Sequence, residues 1–112
     1  MSAKPVRWTS STLEDLRDFP RNAQRGVGHQ LWQVQQGLDP EDWKPMPSVG
    51  PGVREIRVHT GLEHRVIYVA KFSEAVYVLH LFEKRSQKIR RKDLDLAKAR
   101  LEQVIRSRKA GS

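Results

Sequence analysis

Cysteine is absent from the 112 residues, which excludes a disulfide framework and a thiolate metal site and is compatible with a reducing compartment. Residues 1–11 lack the apolar core of a signal peptide, and no apolar run approaches the roughly 20 residues that span a bilayer, so a cytoplasmic protein with no membrane role is expected. Neither HExxH nor a Cys-His spacing occurs, and no internal repeat or low-complexity tract is present. Acidic residues are outnumbered about two to one in the second half. Residues 1–52 hold six Lys or Arg and six Asp or Glu, whereas residues 53–112 hold fifteen and seven, so the entire net charge of +8 lies after Gly52. Such an asymmetry suits a polyanionic partner, because clustered cations steer association and release condensed counterions.

The length suits one domain over residues 1–112, burying somewhat under about 70 % of its unfolded-chain surface. Val6 and Trp8 mark a short strand. Ser11 and Glu14 have capping-box spacing, and Leu13, Leu16 and Phe19 follow at helical intervals to Pro20. A second helix is expected from Pro20 to Gln36, where Ala23, Val27, Leu31 and Val34 form one stripe and Gly37 is the stop. Gly26 and Gly28 weaken that helix unless they permit a close crossing with the first. DPEDWKPMPSVGPG (39–52) carries four prolines and two glycines and reads as an irregular loop pinned by Trp43 and Met46.

From Val53 the period changes to two. VREIRV, RVIYVAKF and VYVLHLF form an antiparallel meander, with turns near Gly61 and Ser73. The first run alternates, setting Ile56 and Val58 against Glu55 and Arg57; the next two are apolar on both faces and read as central strands. The segment 91–108 puts Leu94, Ala97, Leu101, Val104 and Ile105 on one helical stripe, and residues 107–112 read as a frayed tail. Between meander and helix, FEKRSQKIRRKD packs six cations against two acids.

This order of elements, with REIR in the first meander strand, RVIYV in the second and LHLFEKRSQK closing the third, resembles the RelE/ParE superfamily of toxins, closest to its HigB-like, phage-related branch. The similarity covers about residues 4–105. It implies an α+β, RelE-like fold: an N-terminal strand and helix hairpin packed on a mainly antiparallel sheet with a three-stranded meander and a C-terminal helix. It also implies the toxin of a type II toxin–antitoxin module, a cofactor-free, metal-free, ribosome-dependent endoribonuclease acting on mRNA. Its implied partners are mRNA, the ribosome and a cognate antitoxin, often a helix-turn-helix protein. The alternative is a ParE-like gyrase inhibitor without nuclease activity.

Metal-free RNA cleavage turns the ribose 2′-hydroxyl on the adjacent phosphate, so it needs a base or positive field at that hydroxyl, cations around the phosphorane and an acid for the leaving 5′-oxygen. Arg57 and Arg65, matching the family's E-x-R and R-x-x-Y patterns, are the expected phosphate-stabilising pair. Lys84 or Arg85 is the expected general acid or neutralising group. Arg54, Lys88, Arg90, Arg91 and Lys92 are candidate RNA contacts, although three consecutive cations also serve solubility. His59, His64 and Glu55 are the possible bases. His80, inside an apolar run, reads as a hydrogen-bonded core histidine. Tyr68, Phe82 and the tryptophans Trp8, Trp32 and Trp43 read as packing residues, the first two with a secondary capacity to stack on a base. Relatives that use a tyrosine near the chain end have no counterpart here, because no tyrosine follows Tyr77.

Overall fold

The computed structural model describes residues 3–111. Along the chain run β1 (Val6–Trp8), α1 (Thr12–Arg17), α2 (Arg21–Gln35), β2 (Trp43–Pro45), β3 (Val53–His59), β4 (Glu63–Val69), β5 (Val76–Glu83) and α3 (Arg91–Ala110). The five strands make one sheet in the order β1-β5-β4-β3-β2, antiparallel except for the parallel β1–β5 pair. The α+β architecture is therefore the expected one, with the meander at its centre.

Alternation in the strands builds two cores. Ile56, Val58, Val66, Tyr68, Val76 and Val78 face the stripe of Val27, Leu31 and Val34 on α2. On the other face, Val53, Ile67, Val69, Tyr77 and Leu79 pack against Ala97, Leu101 and Val104 of α3, joined by Met46 and Val49 from the loop. Period-two strands that bury both faces require such a layer on each side.

One irregularity sets the phase of β5. Ile67 pairs with His80 but Tyr68 pairs with Val78, leaving Leu79 as an extra residue in a bulge. A bulge shifts the faces of everything beyond it. Leu79 and His80 both turn toward α3, and so does Phe82, which pairs with Arg65.

Several expectations change. The loop 39–52 contains β2, since Trp43, Lys44 and Pro45 pair with Ile56, Glu55 and Arg54; Pro is tolerated there because the strand is an edge. Gly26 serves a close approach to β3 and not to α1, because a Cβ there would lie 2.7 Å from Val58 Cγ1. Gly37, at φ 83°, ends α2 as expected. Trp32 is turned away from the α2 stripe and is 53 % exposed, so it is not a packing residue. Ser11 makes no side-chain cap; its hydroxyl donates to Asp15 Oδ2 at 3.2 Å. The segment expected as a tail is helical through Ala110, held by Arg108 Nε donating to Glu74 Oε2 at 2.6 Å, while residue 112 lies outside the described residues.

Candidate active site

Strand register assembles a charged surface on the α3 side of the sheet, beyond the end of the apolar core. Lys44 stands opposite Glu55, and Glu55 opposite Ile67; the next rank sets Arg57 opposite Arg65 and Arg65 opposite Phe82; the last sets His59 opposite Glu63. Lys84, two residues past Phe82, adjoins that last rank through its N–H, which donates to the Glu63 carbonyl at 2.7 Å. The two arginines singled out from the sequence therefore face one another on neighbouring strands.

Their surroundings differ. Glu55 is 2 % exposed and lies among three cations, with Arg57 Nε at 3.6 Å, Arg65 Nε at 3.8 Å and Lys44 Nζ at 3.9 Å from its Oε1. None of these is a hydrogen bond, and Glu55 Oε1, Arg57 Nε and Arg65 Nε are buried without a hydrogen-bond partner. Arg65 is also buried, its Nη1 donating to Glu63 Oε1 and to the His64 carbonyl, each at 3.1 Å. Arg57 keeps 32 % of its side chain exposed and is the member of the pair that solvent or a ligand can reach.

The three candidate bases fare differently. Glu55 is enclosed, leaving no open face for a substrate hydroxyl. His64 points to the opposite layer, buried against Phe19 with ring centroids 4.4 Å apart, and burial pushes its pKa down; it does not belong to this surface. His59 does belong to it, but Nε2 meets Asp42 Oδ2 at 2.6 Å and Nδ1 meets Glu63 at 2.8 Å. The Asp42 bond above all, then Glu63, raises its pKa, which favours the imidazolium and opposes a base role.

Arg54 is likewise on the other face, bonded to Asp39 at 2.9 Å and lying 4.0 Å over the Trp43 ring, so it is not part of the basic surface. The cations after β5 gather at a cavity of about 410 Å³, which Lys84, Arg85, Lys88 and Arg90 line together with Phe82 and Asp93. Arg85 is tied to Glu83 at 2.8 Å, and Arg90 to Asp93 at 3.3 Å. Arg91 and Lys92 are exposed on α3 outside the cavity lining, Arg91 lying 3.8 Å from Asp95. Among the described residues no group of three or more His, Asp or Glu is arranged to hold a metal ion, and no helix is long and apolar enough to cross a membrane.

Sequence reasoning missed Lys44 and Asp42, hidden in a segment whose prolines masked β2, and it missed the partners of His80. His80 is buried as expected. Its Nδ1 accepts from Arg100 Nη1 at 3.1 Å, and since a guanidinium only donates, the proton sits on Nε2 and is given to Asp93 Oδ1 at 2.8 Å. An acid in the first turn of a basic helix and an arginine seven residues later were the available signals.

The class defined by this fold and surface is a small α+β protein with a cationic sheet face opening beside a basic cavity. Within that class, the chain belongs to the family of phage-derived Gp49-like proteins (DUF891), whose model matches residues 14–102. The match spans every element of the charged surface and leaves out only β1 among the strands. No curated protein matches the chain.

Proposed function

We propose that this protein is the toxin of a type II toxin–antitoxin module, a metal-free endoribonuclease that cuts mRNA at the ribosome. The supporting observation is the placement of Arg57 directly opposite Arg65 around one enclosed carboxylate, with Lys84 bordering the same face. Membership of a phage-derived family agrees with the resemblance of the strands to RelE-like toxins.

In this reading the 2′-hydroxyl gives its proton to solvent water as its oxygen bonds to phosphorus, the P–O5′ bond breaks, and a 2′,3′-cyclic phosphate and a 5′-hydroxyl result. Arg57, being accessible, grips the phosphoryl oxygens as negative charge builds on them. Arg65 and Lys44 add to the positive field around Glu55. Glu55 acts as a positioning residue, keeping three cations together that would otherwise repel. Lys84 rather than Arg85 supplies the proton to the 5′-oxygen, because a lysine gives up its proton far more readily and Arg85 is held by Glu83. The implied partners are a cognate antitoxin and the ribosome, and the compartment is the cytoplasm.

Induction followed by mapping of mRNA 5′ ends tests the reading. In-frame cuts are expected, reduced about 10²- to 10³-fold by Arg57→Ala, the usual loss on removing one transition-state donor. Lys84→Ala is expected to reduce them too. Intact mRNA with double-strand DNA breaks would replace this reading with gyrase inhibition.

A further inference from the structure

The cavity between the end of β5 and the first turn of α3, about 410 Å³, falls in the size range of small-ligand sites. Three chemistries meet in its wall. Phe82 and Ile89 are apolar; Lys84 and Lys88 are cations whose ammonium groups form no ion pair among the described residues; Asp93 is a carboxylate with only 4 % of its side chain exposed. A site for phosphate alone has no use for that carboxylate, which repels an anion. It suits a ligand that carries a hydrogen-bond donor as well as negative charge.

Asp93 is also held in one orientation. Arg100 fixes the His80 tautomer, and His80 Nε2–H donates to Oδ1, leaving Oδ2 with a single bond from Arg90 Nε at 3.3 Å. Arg90 is 65 % exposed and free to turn away. The same imidazole stacks on Phe82, centroids 5.2 Å apart at 21°. One histidine thus sets both the apolar floor and the acceptor.

We propose that this cavity is a nucleobase subsite for an unpaired nucleotide whose base bears an exocyclic amino group. The substrate class rests on the nuclease reading of the adjoining sheet face. The amino group donates to Asp93 Oδ2, displacing Arg90 toward the nucleotide's phosphate, which Lys84 and Lys88 also meet. Uracil, with a carbonyl oxygen where cytosine has its amine, sets acceptor against acceptor at Asp93 Oδ2 and supplies it no donor.

NMR titration of the labelled protein with 5′-CMP, 5′-UMP and inorganic phosphate, read at residues 82–93, tests this. CMP is expected to bind at least about tenfold tighter than UMP, the discrimination one hydrogen bond to a charged group supplies. Asp93→Asn, whose amide also donates, is expected to remove most of that preference. Ile89→Trp, which fills the cavity, is expected to abolish CMP binding in a folded protein. Equal affinity for CMP and UMP, a preference that survives Asp93→Asn, or shifts reproduced by phosphate alone would overturn the subsite. Cleavage of mRNA without a CMP preference sinks the subsite and spares the nuclease; a CMP preference in a protein that never cuts RNA does the reverse.

Discussion

Histidines separate the two environments of this molecule. His59 is half exposed between Asp42 and Glu63, whose hydrogen bonds raise its pKa, while burial depresses that of His80 despite the pull of Asp93. The stability each confers has opposite sign with pH. For His59 the folded value lies above the unfolded one of about 6.5, so its contribution is complete below that pH and disappears as pH rises through the folded value. For His80 the contribution is complete above about 6.5 and disappears as pH falls toward its depressed folded value. Titration of the ring protons by NMR is expected to put the His59 midpoint above, and the His80 midpoint below, that of an unfolded control; midpoints on the same side would refute the assignment. Added salt should shrink the His59 shift, since its carboxylate partners are themselves well exposed. At this scale the sequence was a partial guide. E-x-R and R-x-x-Y located Arg57 and Arg65, and alternation gave Glu55 its face, but nothing local distinguished His59 from His64. Their difference arises because adjacent residues of a strand and its partner point to opposite layers.

Among the elements, α3 carries most of one core, and Leu101 is its central contact, packed so closely over Gly50 that a Cβ on that glycine would collide with Leu101 Cδ2. Leu101→Ala removes buried volume that the glycine turn cannot easily fill. We expect a loss of about 2–5 kcal/mol in urea unfolding; a loss below about 1 kcal/mol would mean that α3 does not depend on this contact. The helix itself was legible because a stripe of apolar residues at helical spacing survives a basic composition. Its last turn was not, because the interaction that secures it comes from Glu74, distant in the chain. The hydrogen bonds from Arg108 and Tyr77 lower the Glu74 pKa to about 2. Likewise β2 escaped notice, as three residues flanked by prolines have no period of their own and exist only through pairing with β3. The parallel partner of β1 was equally beyond reach, being a fact of topology and not of composition.

The whole molecule separates charge by layer as well as by sequence, with α1, α2 and their core on one side and the cationic ranks on the other. Binding to single-stranded RNA is therefore expected to weaken at least about tenfold between 50 and 200 mM salt, the response to a few phosphate contacts. Fluorescence anisotropy measures it, and a flat salt dependence would exclude the cationic face as the RNA-binding surface. The bulge in β5 has a wider consequence. Phe82 and Lys84 look toward α3 only because Leu79 is a supernumerary residue in its strand. Excising that single leucine would leave Val78, His80, Leu81 and Phe82 in strict alternation on the faces they already hold, whereas threading it into the regular ladder would send Phe82 and Lys84 to the α2 side and Leu81 and Glu83 to the cationic one. In this protein, then, strand pairing is as much a determinant of chemistry as residue identity, and a one-residue slip of β5 against β4 would dismantle the site while preserving every side chain that forms it.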